Sequence, residues 1–200
     1  MIRALALCLA LWAGGASAEP APAIDAMRDG GAVIFLRHAA TNQDEIDTGR
    51  LYDRPGQRNL SEAGRRQARA LGEAFAALDI RFTRILASPV YRATDTAALA
   101  FGEGGFEISM EIVADEYAGA ALGAMLRATD RLLSETPPAG ENLLLVGHRI
   151  PLQMVTGDPF PDARLPEGAM AVFRTEGGAR RLVGIVTADA LFAAAGVVVE

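Results

Sequence analysis

The sequence predicts an α/β protein with a mostly parallel sheet layered between helices. Ala32–Leu36 and Leu143–Val146 are unbroken apolar runs, the pattern of strands buried on both faces as in a parallel sheet. Between them, Ala68, Leu71, Phe75 and Leu78 recur with a helical period and should face that sheet. The chain has two histidines, His38 and His148, and each follows one of the two runs at the same end. Open α/β sheets place ligands at that end of their strands. Arg37 precedes the first histidine and Arg149 follows the second, which points to a shared anion site.

The first eighteen residues read separately. Arg3 gives a short basic start, Ala4–Trp12 an apolar core, and Ala16-Ser17-Ala18 an A-x-A cleavage site. Residues 1–18 are therefore expected to be a signal peptide, and 19–200 a single exported domain, periplasmic or secreted. The apolar core is too short to span a bilayer, so no stable membrane insertion is expected after cleavage. The one cysteine, Cys8, lies in that segment, which leaves the mature chain without disulfides, thiol catalysis or cysteine metal sites. Without Arg3, eighteen arginines face twenty-five acids, a net charge of −7 that argues against nucleic acid as a partner. No lysine occurs, so any phosphate clamp must be built from guanidinium groups, which bind phosphate oxygens in pairs.

In chain order, Ala23–Asp29 should form one or two helical turns ended by Gly30-Gly31. Residues 42–59 lack periodicity and carry Arg50, Arg54 and Arg58. A loop of that length in a compact domain is usually functional or mobile. Asp44, Glu45 and Asp47 in it lack the spacing of a calcium loop. Ser61 is a good N-cap for the next helix, although Gly64 stands where a capping box wants Glu or Gln. Thr83–Ala87 is expected as the second strand, with Ser88-Pro89 as N-cap and first residue of another helix. That places Arg92 in the first turn, its side chain leaning back toward the strand end. Phe106–Met110 should be a third strand and Tyr117–Leu133 a continuous helix. Ala169–Arg174 and Arg181–Thr187 read as a closing hairpin around Glu176-Gly177-Gly178, and Ala188–Ala195 as a last helical turn.

These residues resemble a known family. Leu36-Arg37-His38-Ala39-Ala40-Thr41 resembles the RHG signature of the histidine phosphatase superfamily. Leu60-Ser61-Glu62-Ala63-Gly64 with Gln67-Ala68, then Ser88-Pro89 with Arg92-Ala93 and Thr96-Ala97, and finally Val146-Gly147-His148 follow the family's later motifs in order. Glu167, Gly168 and Ala171–Phe173 resemble the closing segment of small bacterial members. Ala39 stands where the family usually has glycine, and Asp44 where it often has asparagine.

The resemblance implies a three-layer α/β/α sandwich of the phosphoglycerate mutase-like kind. It implies a phosphomonoesterase in which His38 takes the phosphoryl group and water then hydrolyses the phosphohistidine. Arg37, Arg92 and His148 would bind the phosphoryl oxygens, with Thr41 adding a hydroxyl. Guanidinium charges near His38 should keep its imidazole neutral, as a nucleophile must be. Glu116 is the candidate proton donor, beside Asp115 and the weaker Glu111. No cofactor and no metal are expected, and the partner is a small phosphorylated substrate; nothing in the sequence speaks to oligomeric state. A phosphohistidine protein phosphatase and a non-catalytic phospho-ligand-binding envelope protein of the same fold stay open as alternatives. The loop 42–59 is expected to act in substrate selection.

Overall fold

A computed structural model describes residues 20–199. The expected signal peptide and Cys8 lie outside them. The first helix, α1 (Pro20–Asp29), starts three residues before the expected Ala23, with Pro20 at its first position, where a missing N–H costs nothing. Six strands follow: β1 (Val33–Arg37), β2 (Phe82–Ala87), β3 (Glu107–Ile108), β4 (Asn142–Gly147), β5 (Met170–Glu176) and β6 (Ala179–Val186). They form one sheet in the order β3-β2-β4-β1-β5-β6. β1 runs parallel to β4, β4 to β2, and β2 to β3, while β5 and β6 add an antiparallel edge.

The two apolar runs are the middle of this sheet, and all their residues are buried. Strand alternation divides their side chains between two layers. Ile34, Leu36, Leu144 and Val146 meet α1, α2 (Glu62–Ala77), α3 (Tyr91–Phe101) and α7 (Ala188–Ala195), through residues such as Met27, Leu71, Phe75, Ala97 and Leu191. Val33, Phe35, Leu143 and Leu145 meet the opposite layer, where Leu132 and Leu133 of α5 (Leu122–Leu133) and Leu152 of α6 (Arg149–Thr156) lie. Helices cover both faces, which gives the three-layer architecture.

Three local expectations are corrected. The helix after β2 begins at Tyr91 with Val90 as its N-cap, so Ser88-Pro89 belongs to the turn rather than to the helix start. Ser88 is completely buried and its hydroxyl is used elsewhere. The stretch Tyr117–Leu133 is broken: a short α4 (Asp115–Ala118) stops at Gly119, whose φ of +51° no continuing helix permits, and α5 starts at Leu122. The third strand shrinks to Glu107–Ile108, because it is an exposed edge pairing only with the end of β2. Helix α6, which no sequence signal announced, is only eight residues long.

Ser61 does cap α2, accepting the Gly64 N–H at 3.0 Å. The departure at Gly64 has a steric cause. A Cβ there would stand 1.8 Å from the carbonyl oxygen of Ala40, so α2 can approach the segment after His38 only through glycine.

Candidate active site

The adjacency of β1 and β4 brings the histidines together. Arg37 lies in register with Gly147, and the His38 N–H donates to the Gly147 carbonyl at 3.1 Å. A Cβ on Gly147 would meet the Phe35 ring at 2.7 Å, so the glycine lets the core pack directly beneath the site. The imidazole centroids of His38 and His148 are 5.4 Å apart, inclined by 53°. From behind, the Gly168 N–H donates to the carbonyls of His38 at 2.9 Å and Arg37 at 3.2 Å, holding the strand end fixed.

Each ring has one nitrogen committed. Nδ1 of His38 lies 2.9 Å from the carbonyl oxygen of Ala39. A carbonyl only accepts, so Nδ1 carries the hydrogen and the Nε2 lone pair is free. Nε2 of His148 lies 2.7 Å from the Ser88 hydroxyl, and its Nδ1 is buried with no partner. Both imidazoles are held well below the ordinary histidine pKa. Burial is the largest cause, with the Arg92 charge next and Arg37 and Arg58 adding to it. The expected effect of the guanidinium groups is thus present but second to desolvation.

Arg37, Arg92 and Thr41 are buried beside these rings. Arg92 is held on two sides: NH1 donates to both Asp47 oxygens at 2.9 and 3.1 Å, and NH2 to Glu116 at 2.8 Å, while its Nε is left without a partner. Arg37 NH1 donates to Asp162 at 2.5 Å and to the Leu165 carbonyl at 2.8 Å, with Glu167 at 3.7 Å from NH2. The Thr41 hydroxyl donates to Glu167 at 2.7 Å and its N–H to the same carboxylate at 3.0 Å. Its proton is therefore committed inside the protein.

The loop 42–59 is held onto α3 rather than left free. Gln57, fully buried, accepts the Tyr91 N–H at 2.9 Å and donates to the Arg50 carbonyl at 3.1 Å. Arg54 makes a paired ion contact with Asp95 and lies over the Tyr91 ring. Asp47 accepts the Arg58 N–H and the Tyr117 hydroxyl as well as Arg92. Burial pushes its carboxyl up, but those donors together hold it below the ordinary aspartate value. Of the loop's three arginines only Arg58 reaches the site. Arg50 is exposed and Arg54 faces α3.

Of the three acids, Glu116 lies on Arg92 and Asp115 precedes it, its carboxyl raised first by burial and then by the Glu116 charge. Glu111 points elsewhere, to Arg131 of α5 at 3.2 Å. Sequence reasoning missed Asp47, Ser88, Asp162 and Glu167 as parts of the site. Of these, Glu167 and Ser88 carried a signal, their places in the closing motif and in the Ser88-Pro89 motif. Beside the histidines a cleft of about 350 Å³ opens, lined by Arg37, Gln43, Arg58, Arg149, Asp162 and Glu167. Among the described residues no group of three His, Cys, Asp or Glu side chains is placed to hold a metal ion, and no helix is long and apolar enough to cross a membrane.

Residues 33–118 match the model of the histidine phosphatase superfamily (branch 1). No curated protein matches the chain significantly. Solved structures share the fold. One is the protein histidine phosphatase SixA complexed with tungstate, at 16% identity and a TM-score of 0.53, the match covering 80% of this chain and 99% of that one. Another is a phosphoserine phosphatase mutant from Entamoeba histolytica in complex with phosphoserine, at 14% identity and a TM-score of 0.55, covering 80% and 98%. A third is the alpha-ribazole phosphatase from Shigella flexneri, at 18% identity and a TM-score of 0.53, covering 76% of this chain and 94% of that one.

Proposed function

We propose that this chain, for which the family model and the solved structures support the histidine phosphatase superfamily, is an exported, metal-independent phosphomonoesterase acting through a phosphohistidine on His38. The observation that carries the reading is the contact between Nδ1 of His38 and the Ala39 carbonyl. It fixes the tautomer, and burial keeps the ring neutral, so Nε2 offers a lone pair at neutral pH.

The steps follow from the donors around that nitrogen. Nε2 attacks phosphorus as the bond to the leaving oxygen breaks. Arg37, Arg92 and His148 balance the charge on the phosphoryl oxygens, and the unpartnered Arg92 Nε and His148 Nδ1 are donors with no other use. The carboxylates now on the two arginines must yield part of that coordination to the phosphoryl group. The leaving oxygen takes its proton from the carboxyl side chains beside Arg92: Glu116, which Arg92 holds, with Asp115 next to it, whose carboxyl burial raises. Water then attacks the phosphohistidine, releasing inorganic phosphate and restoring the free imidazole.

Export rests on the leader expected at residues 1–18, and an intact mass retaining Met1 in a soluble cytoplasmic form would refute it. The chemistry is tested by rapid quench with a phosphorylated donor and peptide mapping. An acid-labile, base-stable label should appear on the His38 peptide. His38→Ala should take no label, and His148→Ala should take it about a hundred- to a thousandfold more slowly. Label on the His148 peptide, or turnover by His38→Ala, would overturn the assignment. Activity should survive EDTA and be inhibited by vanadate.

A further inference from the structure

Arg149 follows His148 directly, yet nothing in the phosphoryl transfer uses it. As the first residue of α6 it projects into the cleft that also takes in Arg37 and Arg58. Its guanidinium is immobilised, NH1 donating to Gln153 at 2.6 Å and to the Phe160 carbonyl at 3.0 Å. Its Nε is buried without a hydrogen-bond partner, and so is that of Arg58. A held cation, Arg149, therefore lines the cleft together with Arg58, whose guanidinium lies 3.8 Å from Glu167.

The protein itself supplies a stand-in for what they bind. One oxygen of Asp162 lies 2.5 Å from Arg37 NH1 and 3.4 Å from Arg149 Nε, bridging the two guanidinium groups. The Asp162 side chain is 70% exposed, so an incoming anion displaces a solvated partner, whose ion pairs are weak. Glu167 is different: its side chain is 14% exposed and tied down by Thr41. With Asp162 displaced, Arg37, Arg58 and Arg149 face Glu167 alone, which leaves a local positive excess lining the cleft. The occupant seen is a carboxylate.

We propose that Arg149, with Arg58, forms a second anion subsite beside the phosphoryl site, which selects phosphate esters whose leaving group carries a carboxylate. The proposal rests on the phosphomonoesterase reading for the placement of the phosphoryl group. Arg149 acts on specificity and has no part in the bond-breaking step. Because its side chain is already held, a bound carboxylate gains charge-assisted hydrogen bonds at small ordering cost.

The test uses paired ligands that differ by one carboxylate, titrated calorimetrically into the His38→Ala protein so that turnover plays no part. The pairs are phosphoglycolate against ethyl phosphate, and the phosphate ester of 3-hydroxypropionate against propyl phosphate. At least one carboxylated ester should bind about tenfold or more tighter than its neutral partner. Adding Arg149→Gln should lower that preference by about tenfold, and Arg149→Lys should restore part of it. Asp162→Asn, at an exposed position that leaves the fold intact, should raise it. Equal affinities within both pairs, a preference indifferent to Arg149→Gln or to Asp162→Asn, or no binding of any ester would overturn the subsite. Hydrolysis of 4-nitrophenyl phosphate by the unmodified protein reports separately on the phosphomonoesterase reading, since that ester has no carboxylate.

Discussion

The Ser88 hydroxyl and Nε2 of His148 meet across 2.7 Å, joining the end of β2 to the end of β4. With Ser88 Oγ donating, His148 presents Nδ1–H to the site, so the serine sets which nitrogen can stabilise a phosphoryl oxygen. Ser88→Ala should slow phosphoenzyme formation by about ten- to a hundredfold, by analogy with the loss of a partner that orients a metal-bound histidine. Single-turnover labelling reads the rate, and unchanged labelling would reduce Ser88 to packing.

Both histidines are neutral and buried in the fold, whereas in the unfolded chain they titrate at the ordinary value of 6.5. Their depressed folded-state values mean that the unfolded chain binds the extra protons. The fold is thus unpenalised above about pH 6.5 and loses stability as pH falls below it, by about 1.4 kcal/mol per pH unit for each histidine until the folded-state value is reached. Denaturant unfolding between pH 7.5 and 5 should show this slope, and His148→Gln should remove one proton's share of it. An equal slope in the variant would mean that His148 is not buried neutral.

Gly64→Ala should cost about 1–3 kcal/mol, the range for forcing an extra carbon into a packed contact. The clash is with backbone at Ala40, so α2 or the segment after His38 must move. Activity should therefore fall with stability, which thermal melting and turnover measured together would show. Full activity with a lowered melting point would place the adjustment entirely in α2.

Asp47 ties the loop 42–59 to Arg92, to Tyr117 and to its own residue 58. Asp47→Ala should cost about 1–3 kcal/mol, and amide exchange should rise across 42–59 while α2 stays protected. Uniform exchange across both segments would mean that Gln57 alone anchors the loop.

The middle of the sheet was legible because burial on both faces leaves an uninterrupted apolar run, and β1 and β4 carry such runs. The α2 start was legible because Ser61 acts on an amide three residues away. What could not be read locally was pairing across the chain. Asp47 and Glu116 reach Arg92 from 45 and 24 residues away, and no periodicity encodes that. Ser88-Pro89 misled because a sequence that suits a helix start also suits a strand-to-helix turn, and only the approach of His148 decides between them. The break at Gly119 was hidden by apolar spacing that continues through it into α5.

The pairing of β1 with β4 also fixes an order of events in time. The Ala32 N–H and the Asn142 side chain that it bonds are 110 residues apart. The strand carrying His38 therefore has no parallel neighbour until nearly three-quarters of the chain has left the ribosome. Contacts that span so much sequence carry a large loop-closure cost and slow folding. A chain truncated before β4 holds the elements from α1 to α5 with β1 open on both sides, since β5 comes later still. Productive folding must wait for the second histidine.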